Sequence, residues 1–155
     1  MKKFTLLCAI LLVVSASILS AQGTQLLREP TISDTHIVFV HAFDLWKVDR
    51  NGGDAERLTS NIGGETSPHF SPDGSMVAFT GQYDGNQDVY IVPIEGGEPE
   101  RLTWHPGADV VTGWTPDGDV LFRSSRDGHP TELNRIWRVA IDGGMPEVLP
   151  IPRAA

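Results

Sequence analysis

Asp88-Val89-Tyr90-Ile91-Val92-Pro93-Ile94-Glu95-Gly96-Gly97, running on to Arg101-Leu102-Thr103, has a twin 44 residues earlier. Asp44 answers to Asp88, Trp46 to Tyr90, Gly52 to Gly96 and Arg57 to Arg101. A third copy, Ile136-Trp137-Arg138-Val139 with Gly143-Gly144 and Val148-Leu149, follows 47 residues after the second. The third is looser, with Arg135 in place of the opening Asp and Glu147-Val148-Leu149 in place of Glu-Arg-Leu. A fixed period of this size means stacked units, none of which buries a core alone.

The stretch before each copy recurs as well. Ile32-Ser33-Asp34 leads into His36-Ile37-Val38-Phe39-Val40, a β-branched run that suits a buried strand. Phe70-Ser71-Pro72-Asp73-Gly74 leads into Val77-Ala78-Phe79-Thr80, and Trp114-Thr115-Pro116-Asp117-Gly118 into Val120-Leu121-Phe122. Proline presets the first turn dihedral, Asp bonds its own backbone, and Gly accepts a positive φ, so each Pro-Asp-Gly predicts a hairpin.

One unit then reads as strand, turn, strand, loop, Asp-x-aromatic-x-Val strand, Gly-Gly turn and Arg-Leu-Thr strand. Four short antiparallel strands per roughly 40–45 residues is the spacing of propeller blades. Helical repeats would need a 3.6-residue periodicity, which is absent after the first residues. An immunoglobulin-like sandwich does not repeat its turn chemistry at a fixed period. The expected fold is all-β, a partial β-propeller of three four-stranded antiparallel blades at roughly 26–60, 61–104 and 105–150. Three units leave broad blade faces uncovered, and no closing strand is visible in Pro150 to Ala155. The expectation is therefore the N-terminal portion of a propeller, residues 22–155, within a longer protein.

Residues 1–21 differ in kind. Met1-Lys2-Lys3 is followed by the apolar run Leu6 to Val14, broken in character only by Cys8, and then by small residues up to Ala21. That is the layout of a secretory signal peptide, and the apolar run is short for a membrane span of about 20 residues. Removing it takes away Cys8, the single cysteine, so the exported chain can form no disulfide. It also removes Lys2 and Lys3, taking the formal charge from −8 to −10. The expected location is periplasmic or secreted, with no stable membrane span after cleavage. An acidic chain without a basic block is a poor partner for nucleic acid, since phosphate neutralisation needs clustered Lys and Arg.

The ordered series Phe70-Ser71-Pro72-Asp73-Gly74, Val77 to Thr80, Asp84-Gly85-Asn86-Gln87-Asp88-Val89-Tyr90 and Gly96-Gly97…Arg101-Leu102-Thr103 resembles the propeller repeats of TolB and its relatives. Pro30-Thr31-Ile32-Ser33, Asp44-Leu45-Trp46, Gly113 to Gly118 and Val148 to Ala154 are similar, closer still, to the N-terminal propeller of tricorn-type proteases. The resemblance covers residues 26 to 155. It implies a six-bladed propeller, then a second propeller and a C-terminal serine peptidase domain with a PDZ module. It implies a part that gates or guides peptides, with catalytic residues beyond this chain, and a homo-oligomer at full length. An exported relative departs from the best-known member, which is intracellular.

Candidate sites are few. Asp84-x-Asn86-x-Asp88 with Glu95 resembles the ends of a calcium loop, but Val89 stands where the loop needs Gly. A turn at Asp84-Gly85-Asn86 is the better reading. His36, His41, His69, His105 and His129 show no paired ligand spacing. His69 lies near Ser71, yet neither an oxyanion donor nor a third group is identifiable. Trp46, Tyr90 and Trp137 share one repeat position and read as blade-to-blade core rather than a binding ladder. Trp104 and Trp114 break the symmetry and are candidates for a loop or channel surface. Arg57 and Arg101 could clamp a peptide carboxylate, but pairing with Asp44 and Asp88 is favoured because both members repeat.

The sequence thus predicts no catalytic residue, no metal site and no cofactor in this stretch. Its expected role is to position or admit peptides or unfolded protein for a peptidase domain elsewhere in the polypeptide. The alternatives are a TolB-like periplasmic propeller that binds protein with no peptidase activity, and a propeller-bearing α/β-hydrolase peptidase marked by a downstream Gly-x-Ser-x-Gly.

Overall fold

The computed structural model describes residues 26–127 and 134–151. The expected signal peptide with Cys8, and His129, lie outside the described residues. Twelve strands and no helix are found among those described, grouped as three antiparallel sheets of four. The first holds β1 (Arg28–Ile32), β2 (His36–His41), β3 (Asp44–Asp49) and β4 (Glu56–Arg57). The second holds β5 (Gly64–Phe70), β6 (Met76–Gln82), β7 (Asp88–Pro93) and β8 (Glu100–Arg101). The third holds β9 (Asp109–Trp114), β10 (Val120–Ser124), β11 (Arg135–Val139) and β12 (Glu147–Val148). Each sheet keeps its strands in chain order, and β5 lies against both β1 and β9. The sheets therefore stack as successive propeller blades with their first strands side by side.

The hairpins follow from side chains within the turns. Ser71 Oγ donates to Asp73 Oδ1 at 2.6 Å and accepts from Met76 N at 2.9 Å, while Gly74 takes φ 73°. The bond from Ser71, with others from Ser75, holds the Asp73 carboxyl down at a pKa of about 2.

Alternation along β6 and β7 divides the core in two. Val77, Phe79, Tyr90 and Val92 meet Val38, Val40, Leu45 and Leu58 of the first sheet. Ala78, Val89 and Ile91 meet Val111, Val120, Phe122 and Trp137 of the third. A strand buried on both faces reads as an unbroken apolar run, and Val89-Tyr90-Ile91-Val92 is one. Each such side chain contributes about 1.5–3 kcal/mol when fully buried.

Two features depart from the simple strand pattern. Arg-Leu-Thr does not extend as a full strand; β4 stops at Arg57, and Leu58 N and Thr59 N both donate to Leu45 O, at 2.8 and 3.3 Å. This turns Leu58 inward to plug the core. The first strand of every sheet also slips register against the second, between Arg28 and Thr31, Thr66 and His69, and Val111 and Gly113. Glu29 and Ser67 occupy the first two bulges with φ 51° and 53°, each just before a proline.

Candidate functional site

Antiparallel chain order sends the β2–β3 and β6–β7 turns and the β4–β5 and β8–β9 connections to one rim of the stack. The β1–β2, β5–β6, β3–β4 and β7–β8 turns lie at the other.

The repeated Arg-Leu-Thr motif explains itself at the first of these rims. Arg57 pairs with Asp44 at 2.8 Å, and Arg101 with Asp88 at 2.6 Å and Asp84 at 3.0 Å. Thr59 Oγ1 accepts from Leu45 N and Thr103 Oγ1 from Val89 N, each at 3.0 Å, tying down the start of the third strand. The arginines are thus engaged within their own blades. The loop that resembled a calcium site is engaged likewise: Asp84 and Asp88 hold Arg101, and Asn86 Nδ2 donates to His105 O at 2.6 Å. Glu95 lies beyond the far end of β7, about 20 Å away along a six-residue strand. No group of three or more His, Cys, Asp or Glu is set to hold a metal among the described residues.

Behind this rim runs a polar seam that the sequence reading missed. Glu65, 0% exposed at the start of β5, accepts from Leu45 N at 2.9 Å, from Thr59 Oγ1, and from Tyr83 Oη at 2.5 Å. Its repeat equivalent, Asp109 at the start of β9, is equally buried and takes Arg126 at 2.5 Å. Tyr83 and Arg126 do the same work with different chemistry. Tyr83 stands edge-on to Phe79 and Tyr90 at 6.5 and 4.7 Å, and Arg126 lies 5.1 Å from each of Phe122 and Trp137. Burial is what pushes the Glu65 carboxyl up, against the pull of its three donors, and Asp44 nearby adds to the rise. Burial raises Asp88 too, opposed by Arg101. The spacing of Glu65 and Asp109, which is the repeat period of 44, was the available signal.

The aromatic positions separate by role. Tyr90 and Trp137 are 5% and 6% exposed and face the preceding sheet. Trp46 sits on the outer face of the first sheet, beside Phe39 and edge-on to His41 at 5.7 Å. Trp114 is half-buried and donates from Nε1 to His69 O at 2.9 Å. Trp104 is exposed on its loop, with the Arg101 guanidinium 5.8 Å from its ring.

His69 and Ser71 do not form a nucleophile and base. The Ser71 hydroxyl is committed to Asp73 and to the backbone of Met76, and burial lowers the His69 imidazole pKa.

Open clefts lie at both rims, the β2–β3 turn marking the upper rim and the β1–β2 turn the lower. One of about 590 Å³ is lined at the lower rim by Ser33, Arg50, His69, Ser71 and Trp114. The other, about 540 Å³, lies at the upper rim between the first two sheets and is lined by Phe43, Arg57, Asn61, Thr66, Gln82 and Gln87. Both offer surface for binding.

Comparison with known proteins agrees with this geometry. A family described as the tricorn protease N-terminal beta propeller domain matches residues 24–155. Tricorn protease homolog 1 of Streptomyces coelicolor is 37% identical over 68 residues, covering 44% of this chain and 6% of the relative. The chain thus spans a small part of that relative's length. The crystal structure of the tricorn protease superposes with TM-score 0.68 and 29% identity over 77% of this chain and 13% of its own. TolB from Acinetobacter baumannii superposes with TM-score 0.62 and 25% identity over 81% of this chain and 32% of its own.

Proposed function

The chain belongs to the tricorn protease N-terminal beta propeller family, and from that premise we propose that it guides peptides to a serine peptidase domain of the same polypeptide. The carrying observation is the family match over residues 24–155, on a chain that spans 6% of a tricorn protease homologue. Arg57 and Arg101 are paired within their own blades, so a guided peptide would be held by other groups at the rims. The work of the segment is steric: it presents clefts and loop surfaces at two rims and leaves the hydrolysis elsewhere. The basic, apolar, small-residue order of residues 1–21 supports export of the parent protein to the periplasm or beyond. Assembly into a homo-oligomer belongs to the same reading.

The test is photo-crosslinking of the full-length protein, purified from its source cells, with unstructured peptides carrying a crosslinker. The expected result is peptide hydrolysis together with adducts mapped to residues 26–151. Hydrolysis with no adducts in that range would overturn the guiding role. Adducts without any hydrolysis would favour the second reading, a protein-binding propeller of the TolB kind.

A further inference from the structure

Phe43 stands where a backbone is least willing to carry an aromatic residue. The β2–β3 hairpin turns on Ala42 and Phe43, both in the left-handed region at φ 52° and 71°. Two-residue hairpins favour Asn-Gly at such positions, because side chains crowd the backbone there. Burial does not offset the strain, since the ring is 61% exposed. A strained residue held outward, with little core to gain, points to a role in binding.

The surroundings say what would bind. Phe43 walls the cleft of about 540 Å³ at the upper rim, with Asn61, Gly64, Thr66, Gln82 and Gln87 around it. The charges lining this cleft, Asp44 and Arg57, are paired with each other at 2.8 Å, while the Arg28 guanidinium lies 5.6 Å from the centre of the Phe43 ring. A metal ion would therefore find no unpaired carboxylate in the lining, and a cation at the ring would meet Arg28. Carboxamides offer both donors and acceptors, and so does the Thr66 hydroxyl, which is what a peptide backbone requires on both sides. Ile62, 96% exposed on the connection into β5, adds an apolar edge.

We propose that this cleft docks an extended stretch of polypeptide, with an apolar side chain packed against Phe43. The inference rests on the peptide-guiding reading and gives it a place and a sequence preference. The amides hold the backbone and the ring selects the side chain. A lysine at the ring would lose its water and face the Arg28 guanidinium.

The test uses the full-length protein and fluorescence anisotropy with two short probes. One is an uncharged peptide with a central leucine, and its twin has lysine in that place. The parent protein binds the leucine probe more tightly. Phe43→Ala weakens that binding by about tenfold, and Gln87→Ala weakens it less, with melting temperatures close to the parent's. Arg138→Ala, in the third sheet, leaves it unchanged. Parent binding that neither Phe43→Ala nor Gln87→Ala alters would overturn the cleft assignment and leave the guiding role standing. A parent that binds neither probe nor any unstructured peptide would overturn both. Phe43-dependent self-association in sedimentation, without peptide binding, would overturn the assignment and make this face a contact between copies.

Discussion

Glu65 and Asp109 occupy one repeat position, and the difference between their partners sets what each does to stability. Glu65 is neutralised by no cation among the described residues and is held by three neutral donors, so burial raises its pKa. A carboxyl that binds its proton more tightly folded than unfolded contributes stability below its unfolded value, near 4.5, and that contribution is lost as pH rises through the folded value. Glu65→Gln should therefore flatten the fall in melting temperature of the parent protein across that window; a parallel fall in both proteins would exclude Glu65 as its source. Asp109 is the opposite case, a buried carboxylate answered by Arg126, whose side chain is 13% exposed. Arg126→Ala leaves that charge unpaired and should cost about 3–5 kcal/mol. Urea unfolding checks it, and a loss below about 1 kcal/mol, the scale of a surface pair, would contradict the buried-pair account.

At the scale of elements, the middle sheet carries both cores, so its changes should cost more than those on outer faces. Phe79→Ala removes a fully buried ring from the first core and should destabilise by about 3–5 kcal/mol in denaturant unfolding. Gly81→Ala tests the packing between β6 and β7, because a Cβ there would lie 2.8 Å from Tyr90 Cδ2. The expected cost is about 1–3 kcal/mol from forced movement of the ring; a variant as stable as the parent would show that the Tyr83 and Tyr90 stack is loose.

Much of this element layer is legible in the residues. The Pro-Asp-Gly turns and the Asp-x-aromatic strands declare themselves because their chemistry is local and repeats at a fixed offset. Tyr83 and Arg126 are not legible in the same way. They sit in turns of unequal length and use unlike chemistry on a carboxylate about 18 residues away in sequence. The Ala42-Phe43 turn hides for a different reason, since it breaks the Asn-Gly preference that makes such hairpins visible. The clefts at the rims, assembled from several connections each, follow from the packing of sheets and from no single motif.

The whole molecule is organised by what each sheet offers its neighbour. The outer face of the first sheet brings Ile37, Phe39, Trp46 and Val48 together across β2 and β3, with Ile32 57% exposed beside them. Expressed alone, residues 22–155 should associate through such apolar surface, giving concentration-dependent sedimentation; a monomer that melts cooperatively would contradict that. The role proposed for this propeller segment needs a serine peptidase carried by the same polypeptide. The most direct measurement is the mass of the native gene product in its source cells, detected with an antibody against this segment and labelled with a serine-hydrolase probe. A labelled species several-fold larger than 16.9 kDa is the predicted result. An unlabelled species near 16.9 kDa would rule out a peptidase on the same polypeptide.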